Sequence, residues 1–92
     1  MQTLFPWDAA INFEMLIVEL APGGVSESAP HEQGVIEHVI VLAGELAIKV
    51  DGIWRVYAAG EALRFHADCQ HTCHNPGTRT LRFYNLIYYP KH

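Results

Sequence analysis

No apolar run exceeds the five residues from Val39 to Ala43, far short of the ~20 needed to cross a bilayer. The chain is therefore not read as a membrane span. Its first residues, Met1-Gln2-Thr3-Leu4-Phe5-Pro6-Trp7-Asp8, carry no basic leader and no long apolar stretch, which argues against a signal peptide. The cytoplasm is the expected compartment. Cysteine is scarce too, with only Cys69 and Cys73 four positions apart, too few and too local for a secreted disulfide framework. Six Lys and Arg stand against ten acids, giving a net charge of −4, and they are scattered from Lys49 to Lys91. This chain alone is not expected to bind nucleic acid, which needs clustered bases to displace counterions from phosphate. Charged residues make up 17% of the chain and hydrophobic ones 50%, a balance that excludes intrinsic disorder. The length of 92 residues suits one small domain.

Long amphipathic helices are also missing, because apolar positions either alternate or run on briefly between Gly, Pro and Asp. The expectation is all-β. Strand candidates are Asn12–Leu20, Val35–Leu42, Leu46–Val50, Ile53–Tyr57, Ala62–Phe65, His71–His74 and residues 78–89. Asp51-Gly52 between the third and fourth is a strong hairpin signal. Short, evenly spaced strands suggest a sandwich or small barrel, and in so small a chain a single-domain jelly roll fits best. The barrel is expected over residues 12–90, with residues 1–11 as an apolar arm whose Leu4, Phe5 and Trp7 pack on the barrel or on a partner subunit.

Histidine is what the chain has in unusual supply, six residues of which His31, His38, His66, His71 and His74 lie in its central part. Side chains alternate along a strand, so Glu37 and His38 cannot both face one interior. With Glu37 inward, His31 from the preceding loop and His71 from a neighbouring strand can converge on it. Two imidazoles and one carboxylate with open positions suit a divalent transition metal such as Zn, Fe, Mn or Ni. The alternative is that the three residues satisfy one another by hydrogen bonds without a metal. A buried carboxylate requires a cation or a donor either way.

The stretch around these residues resembles the cupin superfamily. Its first motif ends in a glutamate, six intervening residues and a glycine, matched by Glu37 and Gly44, while His31 and Gln33 occupy its two histidine positions. Its second motif maps onto Gly60, His66, Asp68, His71 and Asn75, with His66 and Asp68 replacing a proline and a glycine. Ser26-Glu27-Ser28-Ala29-Pro30-His31-Glu32, Glu37-His38-Val39, Val50-Asp51-Gly52 and Ala62-Leu63-Arg64-Phe65 look like the C-terminal cupin half of bacterial helix-turn-helix regulators of the XRE type.

That resemblance implies a cupin barrel, a double-stranded β-helix, that senses a small molecule while a helix-turn-helix domain, absent before residue 12, binds DNA. It implies metal ligation by His31, Glu37 and His71, with Gln33 as a weak fourth ligand or a pocket contact, since a neutral amide is a poor donor to transition metals. Cys73 shares parity with His71 and is placed in the ligand pocket, although both cysteines also suit small core positions. Arg64 joins the pocket if it faces inward, to hold an anionic ligand group, and is otherwise a surface residue. His38 is expected outside, in a homodimer interface with Ile40 and Leu42, and His66 and His74 on the surface. Phe13, Trp54, Phe83, Tyr84 and Tyr88 serve the core or the pocket. A small metal-dependent cupin enzyme, a dioxygenase or an isomerase, is the alternative to a sensor, and a dimerisation module with a vestigial site is the third reading.

Overall fold

The computed structural model describes residues 1–90, and it places nine strands and no helix among them. They are β1 (Gln2–Phe5), β2 (Phe13–Leu20), β3 (Val25–Ser28), β4 (Ile36–Ala43), β5 (Glu45–Val50), β6 (Ile53–Ala58), β7 (Ala62–His66), β8 (His71–His74) and β9 (Leu81–Tyr88). A five-stranded sheet in the order β1-β2-β9-β4-β7 faces a four-stranded sheet in the order β3-β8-β5-β6. All neighbours are antiparallel. The result is the expected all-β jelly roll.

Alternation decides what fills the space between the sheets. Val39 and Val41 of β4, Leu46 and Ile48 of β5, and Leu81 and Phe83 of β9 form one buried cluster, drawn from both sheets. Leu16, Val35, Ala67 and Ile87 form a second. The chain changes sheets at Gly44, whose φ is +79°, and a Cβ there would sit 2.9 Å from the Thr80 carbonyl oxygen and 3.1 Å from Leu81 Cα. Only glycine fits that crossing. Asp51 and Gly52 both adopt positive φ, the signature of a type I′ turn, and join β5 to β6 in register from Val50 with Ile53 to Glu45 with Ala58.

Asn75 pins the end of the barrel away from β4's start. It is fully buried, its Nδ2 donates to the carbonyls of Leu20 and Arg79, and its Oδ1 accepts from Gly77 N–H. Its backbone pairs with Gly23 and Gly24, so the β2–β3 turn and the β8–β9 loop are fastened together.

Two strands were not expected. The arm supplies β1, which pairs with β2 from Gln2 with Ile17 to Phe5 with Met15 across a register shift. The polar segment Val25-Ser26-Glu27-Ser28 forms β3 through full pairing with β8. The final strand starts at Leu81 rather than at residue 78, because the chain from Pro76 to Thr80 is spent on the Asn75 loop.

Candidate metal centre

His31, Glu37 and His71 reach a common centre from a loop and two strands, one from each sheet. His31 lies between β3 and β4, where its N–H donates to the Ala67 carbonyl while Ala67 N–H donates to Val35. Val35 and Ala67 are themselves almost wholly buried, which makes that loop a fixed platform. Glu37 follows one residue into β4 and shares its inward face with Val39 and Val41. His71 opens β8 opposite Ser28 and Val50, and the Phe65 ring meets its imidazole edge-on at 5.1 Å.

Glu37 is 3% exposed and each of its carboxylate oxygens has a different task. Oε1 accepts a 2.8 Å hydrogen bond from Asn85 Nδ2. Oε2 lies 2.9 Å from His71 Nε2 and 3.5 Å from His31 Nε2. His71 Nδ1 is 3.1 Å from the Cys69 carbonyl oxygen, which can only accept, so Nδ1 carries the proton. In a neutral ring Nε2 then turns a lone pair toward Oε2, and the buried oxygen has no hydrogen-bond donor. A cation must sit between them, or His71 must be an imidazolium.

The imidazolium solution is supported by the electrostatics of the site. Burial pushes the Glu37 carboxyl up, yet hydrogen bonds from His71 and Asn85 and the charges of His71 and His31 outweigh it and hold it below its ordinary 4.5. The Glu37 hydrogen bond raises His71 above its ordinary 6.5 against the opposing effect of burial, with help from the Cys69 carbonyl and the carboxylate charge. The same atoms suit a metal. One ligand atom from each residue lies within 4.8 Å of the other two, and tetrahedral zinc with bonds of about 2.1 Å separates its ligand atoms by about 3.4 Å. The Nδ1–H bond to a carbonyl is the support that metal-ligating histidines usually have. The residues present therefore fit a divalent transition ion.

Beside the centre a cavity of about 340 Å3 opens between β2 and β3, and Glu37, His71, Cys73 and Asn85 line it. Burial, and then the Glu37 charge, push the Cys73 thiol up to about 12. It is a neutral wall group.

The remaining pocket candidates lie elsewhere. Gln33 is exposed in the turn before β4 and is not part of the cavity wall. Arg64 is exposed, in register with His38 between inward Leu63 and Phe65, so the expectation that it enters this cavity is corrected by strand parity. His38 is half-buried on the outer face, His66 is exposed, and His74 is half-buried with its ring edge-on to Trp54 at 6.5 Å. Asn85 was missed by sequence reasoning, although a lone amide at the inward parity of Leu81, Phe83 and Ile87 was a usable signal.

Against known proteins, the cupin domain family model matches residues 16–87. The chain belongs to the cupin family. This cupin is 47% identical over 89 residues to the HTH-type transcriptional regulator SutR of Escherichia coli (strain K12), covering 97% of the chain and 50% of that protein. It is 47% identical to the solved cupin domain of an XRE family transcriptional regulator from Enterobacter cloacae, with a TM-score of 0.95 over 98% of this chain and 95% of that one. An HTH_3 family transcriptional regulator from Vibrio cholerae is 34% identical, with a TM-score of 0.91 over 97% of this chain and 49% of that one. The cupin thus spans about half the length of the full regulators it matches.

Proposed function

We propose that this cupin is the effector-sensing half of a cytoplasmic transcriptional regulator, and that it holds a divalent transition metal through His31, Glu37 and His71 and binds a small molecule beside it. The observation that carries the reading is the coincidence of a buried two-histidine, one-carboxylate centre with close likeness to regulator cupin domains over nearly the whole chain. DNA recognition belongs to a helix-turn-helix partner domain, since the six bases here are scattered along the sequence and outnumbered by ten acids. The metal would supply an open coordination position, and the protein would supply the walls.

Catalysis finds less support. An enzyme needs a proton shuttle beside the metal. Of the polar groups that share the cavity with the ligands, Asn85 does not titrate, the Cys73 thiol stays protonated at neutral pH, Ser26 and Ser28 are hydroxyls, and Glu19 is engaged by Arg82 at 3.4 Å.

The same reading includes a homodimer formed through the outer face of the five-stranded sheet. Ile17, Tyr84 and Ile40 stand in one cross-strand row of that face and Met15, Leu86 and His38 in the next. Ile40 and Leu42 are exposed, as are Phe5 and Trp7 on the arm. Regulators that read two-fold DNA sites need such a pair.

A chimaera tests the function. The chain replaces the matching half of the E. coli regulator, and transcription is followed from a promoter that regulator controls. The reading expects the output to change on metal chelation in the chimaera and not in its Glu37→Gln variant. Identical output in all four conditions would overturn it.

A further inference from the structure

The cavity beside the metal centre has two unlike walls. Leu16, Val18 and Leu20 from the inward row of β2 make an aliphatic one, and Ser26 and Ser28 of β3 make a hydroxyl-bearing one. Among the described residues, no lysine or arginine side chain lines it; Glu19 and Glu37 there are acidic, His71 is a neutral ligand when metal is bound, and Met1 is also part of the wall. Arg82 at 3.4 Å already engages Glu19 on the surface. With His71 a neutral ligand, no side chain lining the cavity is cationic, and the metal is the positive charge that the site itself offers a ligand.

The charge balance is simple. A divalent ion held by one carboxylate and two neutral imidazoles leaves one positive charge at the cavity floor. One anionic group satisfies it, whereas a second would be buried against aliphatic side chains and acidic neighbours without a partner, which is strongly unfavourable. The volume, about 340 Å3, lies at the low end of the roughly 300–1,000 Å3 typical of ligand pockets. Large cofactors and nucleotides do not fit it.

We propose that the cavity takes a small organic monoanion, with its acidic group at the metal and a short uncharged aliphatic body along Leu16, Val18 and Leu20. This rests on the metal reading of the site given above. Ser26 and Ser28 can hydrogen-bond a hydroxyl or carbonyl on that body, and water can replace it, because Ser26 is exposed and Ser28 only half-buried. Dicarboxylates, sugar phosphates and other dianions are disfavoured because no lining side chain supplies a second cation.

Three probes with the same four-carbon skeleton separate these possibilities: butyrate, succinate and 1-butanol. Each is titrated into zinc-loaded protein freed of excess metal, and into metal-free protein, while NMR follows the methyl groups of Leu16 and Val18 and the amide of Ser26. The metal content of each sample is measured first. Butyrate is expected to shift these signals in the zinc-loaded protein with an affinity at least about tenfold above that of succinate, of 1-butanol, or of butyrate for the metal-free protein. Succinate binding as well as butyrate, or butyrate binding equally without zinc, would overturn the proposal. Zinc uptake without any butyrate response would overturn it while leaving the metal reading intact. Failure to take up zinc would overturn both.

Discussion

His71 Nε2 sits 2.9 Å from Glu37 Oε2 while its Nδ1 faces the Cys69 carbonyl at 3.1 Å. One acceptor fixes the ring's proton, and the second is left facing a lone pair. The site thus demands a positive charge at one point, a proton or a metal ion, and most of its expected behaviour follows from the exchange between the two.

With metal removed by chelator, the Glu37–His71 pair should make stability depend on pH in both directions. Glu37 lies below its ordinary 4.5, so its contribution is present above that value and is lost as pH falls through the lowered folded value. His71 lies above its ordinary 6.5, so its contribution is full below that value and is lost as pH rises through the raised folded value. Thermal unfolding of metal-free protein should be most favourable to the fold between pH 4.5 and 6.5. A melting temperature flat from pH 4 to 9 would contradict the pair, whereas saturating zinc should move the optimum upward, because the ion replaces a proton.

Asn85→Leu should weaken metal binding by about 10–100-fold, the usual effect of removing a hydrogen bond that orients a ligand. The substitution removes the donor to Glu37 Oε1, raises the carboxyl's pKa and frees its rotamer. Competition against a chelating dye measures this. Unchanged affinity would show that Glu37 is oriented by β4 alone.

Much of this site was legible before any coordinates. Alternation put Glu37 on the face of Val39 and Val41 and His38 on the opposite one, and burial of the two valines makes that face the inner one, while the loop position of His31 and the strand position of His71 followed from the turns around them. Asp51-Gly52 specified its hairpin by backbone preference alone. The strands that escaped notice owe their existence to partners rather than to their own residues: β3 has a single large apolar side chain, Val25, and that one is exposed, yet β8 pairs with all four of its residues. Sequence alone leaves Arg64 open between pocket and surface, and its place between inward Leu63 and Phe65 decides for the surface. Asn85 needed the register, because its link to Glu37 spans 48 positions.

Asn75→Ala should destabilise the fold by about 2–4 kcal/mol, since it leaves the carbonyls of Leu20 and Arg79 and the amide of Gly77 without their side-chain partner. Denaturant titration gives the value directly. A loss under about 1 kcal/mol would mean that water replaces the amide.

Ile40→Glu places a charge in the middle of the apolar outer face, in the row of Ile17 and Tyr84. Sedimentation at micromolar concentration should find the parent as a dimer and this variant as a monomer, with metal binding retained, because Ile40 points away from the centre. A monomeric parent would remove the interface from the account.

The central claim is that His31, Glu37 and His71 bind one divalent transition ion, and calorimetric titration of metal-free protein with zinc tests it most directly, with Glu37→Gln alongside. The account expects about one equivalent bound by the parent with proton release at pH 6, and loss of that binding in the variant, whose amide still accepts from Asn85 but carries no charge. The variant's fold should persist, weakened by about 1–3 kcal/mol through the lost charge-assisted contact with His71. A parent that takes up no zinc, or a variant that binds it as well as the parent does, would contradict the account.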